Sequence, residues 1–273
     1  MLKTCIENVR NNVPLVHNIT NYVTVNDVAN IILASGASPI MADDEGEAAD
    51  ITSVCSSLNI NIGTLNKNTI PSMTLAGKKA NELGHPVILD PVGVGASALR
   101  NKTAEDLLKN VSFDVIRGNI SEIKFLAAGV GSGKGVDAGA DDAVTEENLD
   151  NMIAFVKDFA KNTDSIIAVT GAIDLVADAD KCYVIRNGRP EMGKITGTGC
   201  QLSGMTAGFM AANKDNMLEG VAASICTMGL AGEIAWSHMK PEDGNSTYRN
   251  RIIDAVYHMD GKTLEEGAKY EIR

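Results

Sequence analysis

Three short apolar runs set the pattern of this chain: 86–90 (PVILD), 114–119 (DVIRGN) and 165–171 (SIIAVTG). Each is too short for a helix, rich in β-branched residues and closed by polar residues or glycine, which predicts buried strands. Pro14-Leu15-Val16 and Ser38-Pro39-Ile40-Met41-Ala42 predict two more. Between the runs the period changes. Residues 22–34 place Val25, Val28, Ala29 and Ile32 at helical spacing, with Thr20 or Asn21 as the expected cap. Segments near 71–83, 102–109, 121–127 and 145–161 also predict helices. Alternating strands and helices imply an α/β fold, a mainly parallel sheet with helices on both faces. Ligands of such sheets collect at the carboxyl ends of the strands, so Asp90, Arg117, Asn119 and Thr170 are expected along one edge. One stretch departs from this pattern. Leu175-Val176-Ala177, Cys182-Tyr183-Val184-Ile185 and then Asn187-Gly188 predict antiparallel strands with a two-residue turn. Beyond residue 214 the chain reads as helical, with Ala222, Ile225, Met228 and Leu230 facing inward. No repeat or Pro-rich linker divides it, so 1–273 is expected to form a single domain.

The 273 residues, 44% of them hydrophobic, suffice for a large core. A formal net charge of −11 argues against nucleic acid or an anionic membrane surface as partner. A bound nucleotide must then be held by backbone donors, a metal ion and a few placed cations. The five cysteines are scattered without a CxxC, and the four histidines lack ligand spacing, so neither a disulfide framework nor a zinc site is expected. A reduced, cytoplasmic setting is the simplest expectation. The N-terminal residues lack a signal-peptide core, and no run approaches the ~18 apolar residues of a membrane span.

The densest candidate chemistry lies at Gly197-Thr198-Gly199-Cys200, before Leu202, Met205, Phe209 and Ala212 at buried-helix spacing. A glycine turn feeding a helix leaves N–H groups aimed outward, where a phosphate fits. Cys200 in the first turn would have its thiolate favoured by the helix dipole; the plainer role is a small buried apolar residue. Two look-alikes carry less. Residues 128–135 (AGVGSGKG) resemble a P-loop but lack its first Gly and its Ser/Thr and follow a helical pattern, so a surface loop is expected. Residues 93–98 (GVGASA) fit GxGxxA only nominally, with no clear helix next. Asp90 before Pro91 could hold magnesium or cap the following turn. Asn119 or Ser121 could cap the next helix, and Glu122 suits its positive end. Arg117, on an apolar strand, needs a phosphate or a carboxylate partner. The polar run His17-Asn18-Ile19-Thr20-Asn21 could cap a helix or hold a small neutral ligand, and Met41 is core or pocket lining.

Taken in order, HNITN (17–21), GASPIMA (36–42), DPVGVGAS (90–97), IRGNISEI (116–123), VTGAIDLV (169–176) and ITGTGC (195–200) resemble the hydroxyethylthiazole kinases of the ribokinase-like superfamily. The resemblance runs from residue 17 to about 235. It implies a three-layer α/β/α fold with a mainly parallel central sheet and a short antiparallel segment near 174–190. It further implies transfer of the ATP γ-phosphate to the alcohol of 4-methyl-5-(2-hydroxyethyl)thiazole for thiamin synthesis, with Mg2+, in a homotrimer with sites at subunit interfaces. By motif, Asn21, Val23, Met41 and Gly197 would bind the thiazole. Arg117, Thr170, Thr198 and Gly199 would bind ATP, Asp90 and Glu122 would position magnesium, and Cys200 would stand where many relatives carry an Asp base. Its contribution is expected to be modest, on the order of 10²-fold, because nearby phosphates oppose the thiolate. The 129–143 loop is expected to be a variable surface excursion. Alternatives are a hydroxymethylpyrimidine or pyridoxal kinase, an ATP-dependent hydrated-nicotinamide repair enzyme, or a nucleotide-binding regulator without catalysis; the last has no need of Cys200 together with Asp90 and Glu122.

Overall fold

A computed structural model describes residues 2–131 and 143–273. The strands are β1 (Leu15–Ile19), β2 (Ser38–Met41), β3 (Ser57–Asn61), β4 (Val87–Asp90), β5 (Val115–Gly118), β6 (Ile166–Val169), β7 (Asp174–Ala177), β8 (Cys182–Ile185) and β9 (Tyr270–Ile272). All nine join one sheet in the order β2-β1-β3-β4-β5-β6-β7-β8-β9. Pairing is parallel from β2 to β6 and antiparallel from β6 to β9. The helices are α1 (Leu2–Asn12), α2 (Val25–Ser35), α3 (Ala48–Val54), α4 (Thr69–Leu83), α5 (Ala98–Asn110), α6 (Ile120–Gly131), α7 (Leu149–Thr163), α8 (Thr198–Ala212), α9 (Met217–Ser237), α10 (Asn245–His258) and α11 (Gly261–Gly267).

The period-2 geometry of the strands sorts the core into two layers. On one face Ile88, Val115 and Ala168 pack with residues of α1, α2, α8, α9 and α10. On the other, Leu89, Ile116 and Ile167 pack with residues of α4, α5, α6 and α7. Residues buried on both sheet faces explain the unbroken apolar runs. Pro39 is tolerated because β2 is an edge strand. The helix α9 is long and apolar enough to cross a membrane by composition, yet most of its apolar stretch is buried inside the fold, where it is a core helix.

The predicted strands and helices are present, with several differences. Strand β3 was not foreseen, nor was β9, which lies in the stretch beyond residue 214 that reads as helical. Thr24, not Thr20 or Asn21, occupies the position before α2, and it makes no capping hydrogen bond. The two-residue hairpin turn is absent. Residues 178–181 join β7 to β8, with Asp178 accepting from the N–H groups of Asp180 and Lys181. Asn187-Gly188 instead leads into a 3₁₀ turn, Pro190–Lys194. The GVGASA segment does precede a helix, α5, which Ser97 caps by accepting from Arg100 N–H at 3.3 Å. The P-loop look-alike begins in the last turn of α6, and its residues 132–135, like most of the 129–143 loop, lie outside the described residues.

Candidate active site

Helix α8 starts from Gly197 at φ +84°, a left-handed conformation suited to glycine. A Cβ there would stand 2.2 Å from Thr24 Cγ2, so glycine also lets α8 close against the start of α2. The Gly197 carbonyl accepts the first helical bond, from Gln201 N–H at 2.8 Å. The amides of Thr198, Gly199 and Cys200 therefore have no intrahelical acceptor. Over them lies a cation. A Cβ on Gly199 would come within 2.8 Å of both terminal nitrogens of Arg117. A guanidinium against the positive end of a helix is electrostatically unfavourable unless an anion joins them.

Arg117 is buried near the carboxyl end of β5. It donates to Thr170 Oγ1 at 2.6 Å and lies 3.4 Å from Asp90 Oδ2, while its Nε has no partner. The same Asp90 oxygen accepts from Asn61 Nδ2 at 2.8 Å and Ser203 Oγ at 2.9 Å. Asp90 is fully buried and does not cap the Pro91 turn. Burial pushes its carboxyl up, Arg117 and the two hydrogen bonds pull it down, and Glu122 adds to the rise.

Asp90 Oδ1 is buried without any hydrogen-bond partner, an acceptor whose desolvation calls for a cation or donor. Glu122 faces the same region and spends its oxygens on the N–H groups of Gly93 and Asn119, both at 2.8 Å. Asn119 Oδ1 in turn accepts from Glu122 N–H at 2.9 Å, which makes Asn119, and not Ser121, the cap of α6. No group of three or more His, Cys, Asp or Glu side chains converges among the described residues. The donor set therefore suits a hard, oxygen-seeking cation that keeps water or phosphate as its other ligands.

Cys200 follows on the next face of α8 and is buried. Asn21 Nδ2 donates to its sulfur at 3.0 Å and to Asn61 Oδ1 at 3.1 Å, and Thr24 Oγ1 holds Asn21 Oδ1 at 3.0 Å. Burial and the negative charge of Asp90 push the Cys200 thiol up, against the pull of hydrogen bonds from Asn61, Asn21 and Thr24. Burial and Asp90 thus oppose the thiolate that the helix dipole was expected to favour. Val23 is exposed and Met41 half-buried on β2, packed against the core. On the other side of α8 a cavity of about 620 Å3 opens, walled by Leu202, Ile225 and Met228 and reaching Arg117, Thr170, Thr198 and Gly199.

Residues 6–262 match the model of the hydroxyethylthiazole kinase family. The chain is 62% identical over 271 residues to the hydroxyethylthiazole kinase of Clostridium acetobutylicum, covering 99% of both chains. It is 48% identical to that of Ruminiclostridium cellulolyticum, over 97% of this chain and 94% of the relative. The chain belongs to the hydroxyethylthiazole kinase family. The solved structure of a hydroxyethylthiazole kinase from Pyrococcus horikoshii superposes with a TM-score of 0.88 at 32% identity, covering 100% of this chain and 98% of that one. A Bacillus subtilis pyridoxal kinase shares the fold alone, at a TM-score of 0.59 and 17% identity over 81% of this chain and 91% of that one.

Of the site residues expected from the family motifs, the structure joins Asp90, Arg117 and Thr170 by direct contacts, sets Gly199 against Arg117, and ties Asn21 to Cys200. Met41 and Val23 make no hydrogen bond into this network. Asn61, Ser203 and Thr24 were missed. Their only signals were two Asn residues two apart in the β3 segment and a hydroxyl one turn beyond Gly199.

Proposed function

We propose that this member of the hydroxyethylthiazole kinase family transfers the γ-phosphate of ATP to the primary alcohol of 4-methyl-5-(2-hydroxyethyl)thiazole, giving the thiazole phosphate used for thiamin. The observation that carries this is the Arg117 guanidinium lying on the open first turn of α8, beside Cys200 and Asn21. Nucleotide fills the cavity beyond Leu202, with its phosphates at Thr198, Gly199, Arg117 and Thr170. The thiazole lies on the Cys200 side, against Asn21, Val23, Met41 and Gly197.

The transferring phosphoryl group spreads charge over its oxygens, and fixed donors aimed there stabilise it without reorganisation. The amides of Thr198, Gly199 and Cys200 and the Arg117 cation supply them. Asn21 orients the Cys200 sulfur, which positions the acceptor hydroxyl; in its deprotonated form the sulfur takes that hydroxyl's proton late, as the new O–P bond forms and the bond to ADP breaks. Because the thiol is pushed up, proton acceptance contributes less than charge stabilisation. Asp90, through its unpartnered oxygen, and Glu122 would hold Mg2+, which when bound neutralises phosphate charge. We further infer a single kinase domain over 1–273, a homotrimer whose neighbouring subunit completes the acceptor side around Val23 and Met41, and a cytoplasmic setting.

Mass spectrometry of a reaction with ATP, Mg2+ and the thiazole alcohol tests the proposal. A phosphorylated thiazole is the expected product. Faster turnover of hydroxymethylpyrimidine or pyridoxal, or ATP consumption only with hydrated nicotinamide cofactor, would overturn the substrate. Binding of ATP without turnover of any acceptor would point to a regulator.

A further inference from the structure

The cavity that we assign to the nucleotide contains a carboxyl group that the proposed chemistry does not use. Asp174, the first residue of β7, lines it close to Arg117 and Thr170. The residue is only 8% exposed. Its Oδ1 accepts from Gly171 N–H at 2.8 Å and so fixes the turn that follows Thr170. Its Oδ2 has no hydrogen-bond partner among the described residues. The other long polar side chains at this end of the cavity are committed elsewhere. Asn187 donates to Glu233 and the Gly267 carbonyl and accepts from Lys269 N–H. Arg189 is held by both oxygens of Glu191 and lies over the Trp236 ring, 5.2 Å from its centroid.

An ionised carboxylate facing a polyphosphate would repel it, whereas a protonated one donates a hydrogen bond. We propose that Asp174 is a positioning residue for the nucleotide, acting as a neutral acid: Oδ1 anchors the Gly171 turn while Oδ2 donates its hydrogen to an acceptor oxygen of the nucleoside triphosphate. This rests on the cavity being the nucleotide site. The surroundings of the group favour the neutral form. Burial pushes the carboxyl up to about 7, against the pulls of the Gly171 hydrogen bond and of Arg117 on β5. The other charged or titratable groups around it are Cys226 on α9, whose thiol is itself pushed up by burial and by Asp174, and Arg189, already paired with Glu191. Its partner across the sheet, Ile185 of β8, is apolar.

Two variants of the full-length protein, Asp174→Asn and Asp174→Leu, test this through kcat/KM for ATP between pH 6 and 9. Asn keeps both an acceptor for Gly171 and a donor toward the cavity, but cannot ionise. The ratio of the Asn variant to the unaltered enzyme should rise about fivefold between pH 7 and 8 and about ninefold between pH 8 and 9, since one titrating group approaches tenfold per pH unit only well above its pKa. Titration of ATP and of Cys200 is common to both proteins and cancels in that ratio. The Leu variant should raise KM for ATP about tenfold at pH 6 with a much smaller change in KM for the thiazole. A ratio that stays constant or falls with pH overturns the proposal, as does a Leu variant with unaltered KM for ATP at pH 6. Trp236, the only tryptophan, separates this from failure of the cavity assignment, because Arg189 over its ring also lines the cavity. ATP should change its emission. An unchanged emission at saturating ATP removes the nucleotide from this cavity, and the Asp174 proposal falls with it. A changed emission with a flat ratio removes the Asp174 role alone.

Discussion

The two sides of α8 are built to different standards. On the phosphate side, Asp90, Asn61, Ser203, Arg117 and Thr170 form a buried, cross-linked set of polar groups contributed by five elements or their ends. On the acceptor side, Tyr22 and Val23 are 77% and 57% exposed, and all four residues of β2 are only half-buried. On the proposed assignment a single chain supplies a rigid receptor for charge and an open shelf for the alcohol. Charge stabilisation demands donors fixed before the reaction, whereas a small apolar ring can be enclosed by a surface that arrives later. Under the proposed trimer, the contrast separates a half that one chain completes from a half that a neighbour would cover.

The hardest blow to the rigid half is Gly197→Val. Its side chain would collide with Thr24 and oppose the positive φ, displacing the first turn of α8. Loss of a single oxyanion donor costs about 10²–10³ in kcat, and here three amides move together, so a fall of at least about 10³-fold is expected. A coupled ADP assay measures it, with circular dichroism to confirm folding. Cys200→Ser comes next, lowering kcat on the order of 10²-fold with KM for ATP changed less than about twofold; full activity would remove the proton-accepting role. Val23→Asp, on the open half, should raise KM for the thiazole about tenfold, the cost of a charge facing an apolar ring, while KM for ATP stays put. Sedimentation velocity on the same variant should show weakened assembly. If instead ATP binding suffers and assembly does not, the two halves are not separate.

The smallest effect is thermal. The Asp174 carboxyl titrates near 7 in the folded chain and at about 3.8 when unfolded. Between those values the folded state holds the extra proton, so stability falls as pH rises from about 4 to 7. The gap of about three pKa units bounds the loss at on the order of 4 kcal/mol. Asp174→Asn should therefore raise Tm more at pH 8 than at pH 5, by about 2 °C for each kcal/mol relieved. Calorimetry at the two pH values decides it, and equal shifts would mean the carboxyl is not buried as described.

The rigid half was also the legible half. Strands β4, β5 and β6 are buried on both faces, so their apolar runs stand out, and the polar residues that close them fall together by topology. Strand β3 hid itself because Asn59 and Asn61 break its apolar run, although Asn61 is the residue that bridges Asp90 to Asn21. Local chemistry misled where distant elements took over. Asn21 does not cap α2 because its Oδ1, the atom a cap uses, accepts from Thr24 Oγ1 while its Nδ2 donates to Cys200 and Asn61. The dipole at Cys200 is opposed by burial and by Asp90, contributed from a strand more than a hundred residues earlier. Asn187 and Gly188 read as a hairpin turn, but Glu233 of α9 and the backbone at Gly267 and Lys269 hold them in another conformation. The open half gave only motif likeness, since exposed Val23 and half-buried Met41 leave no trace in periodicity.

The last strand carries a consequence for handling the protein. Strand β9 is three residues long, yet it occupies the outer side of β8, with Cys182 and Arg273 exchanging both backbone hydrogen bonds at 2.9 and 2.8 Å. Cutting the chain at residue 268 would bare the backbone of a four-residue apolar strand to any passing polypeptide. Such a truncation should clump on warming before its catalytic centre is disturbed.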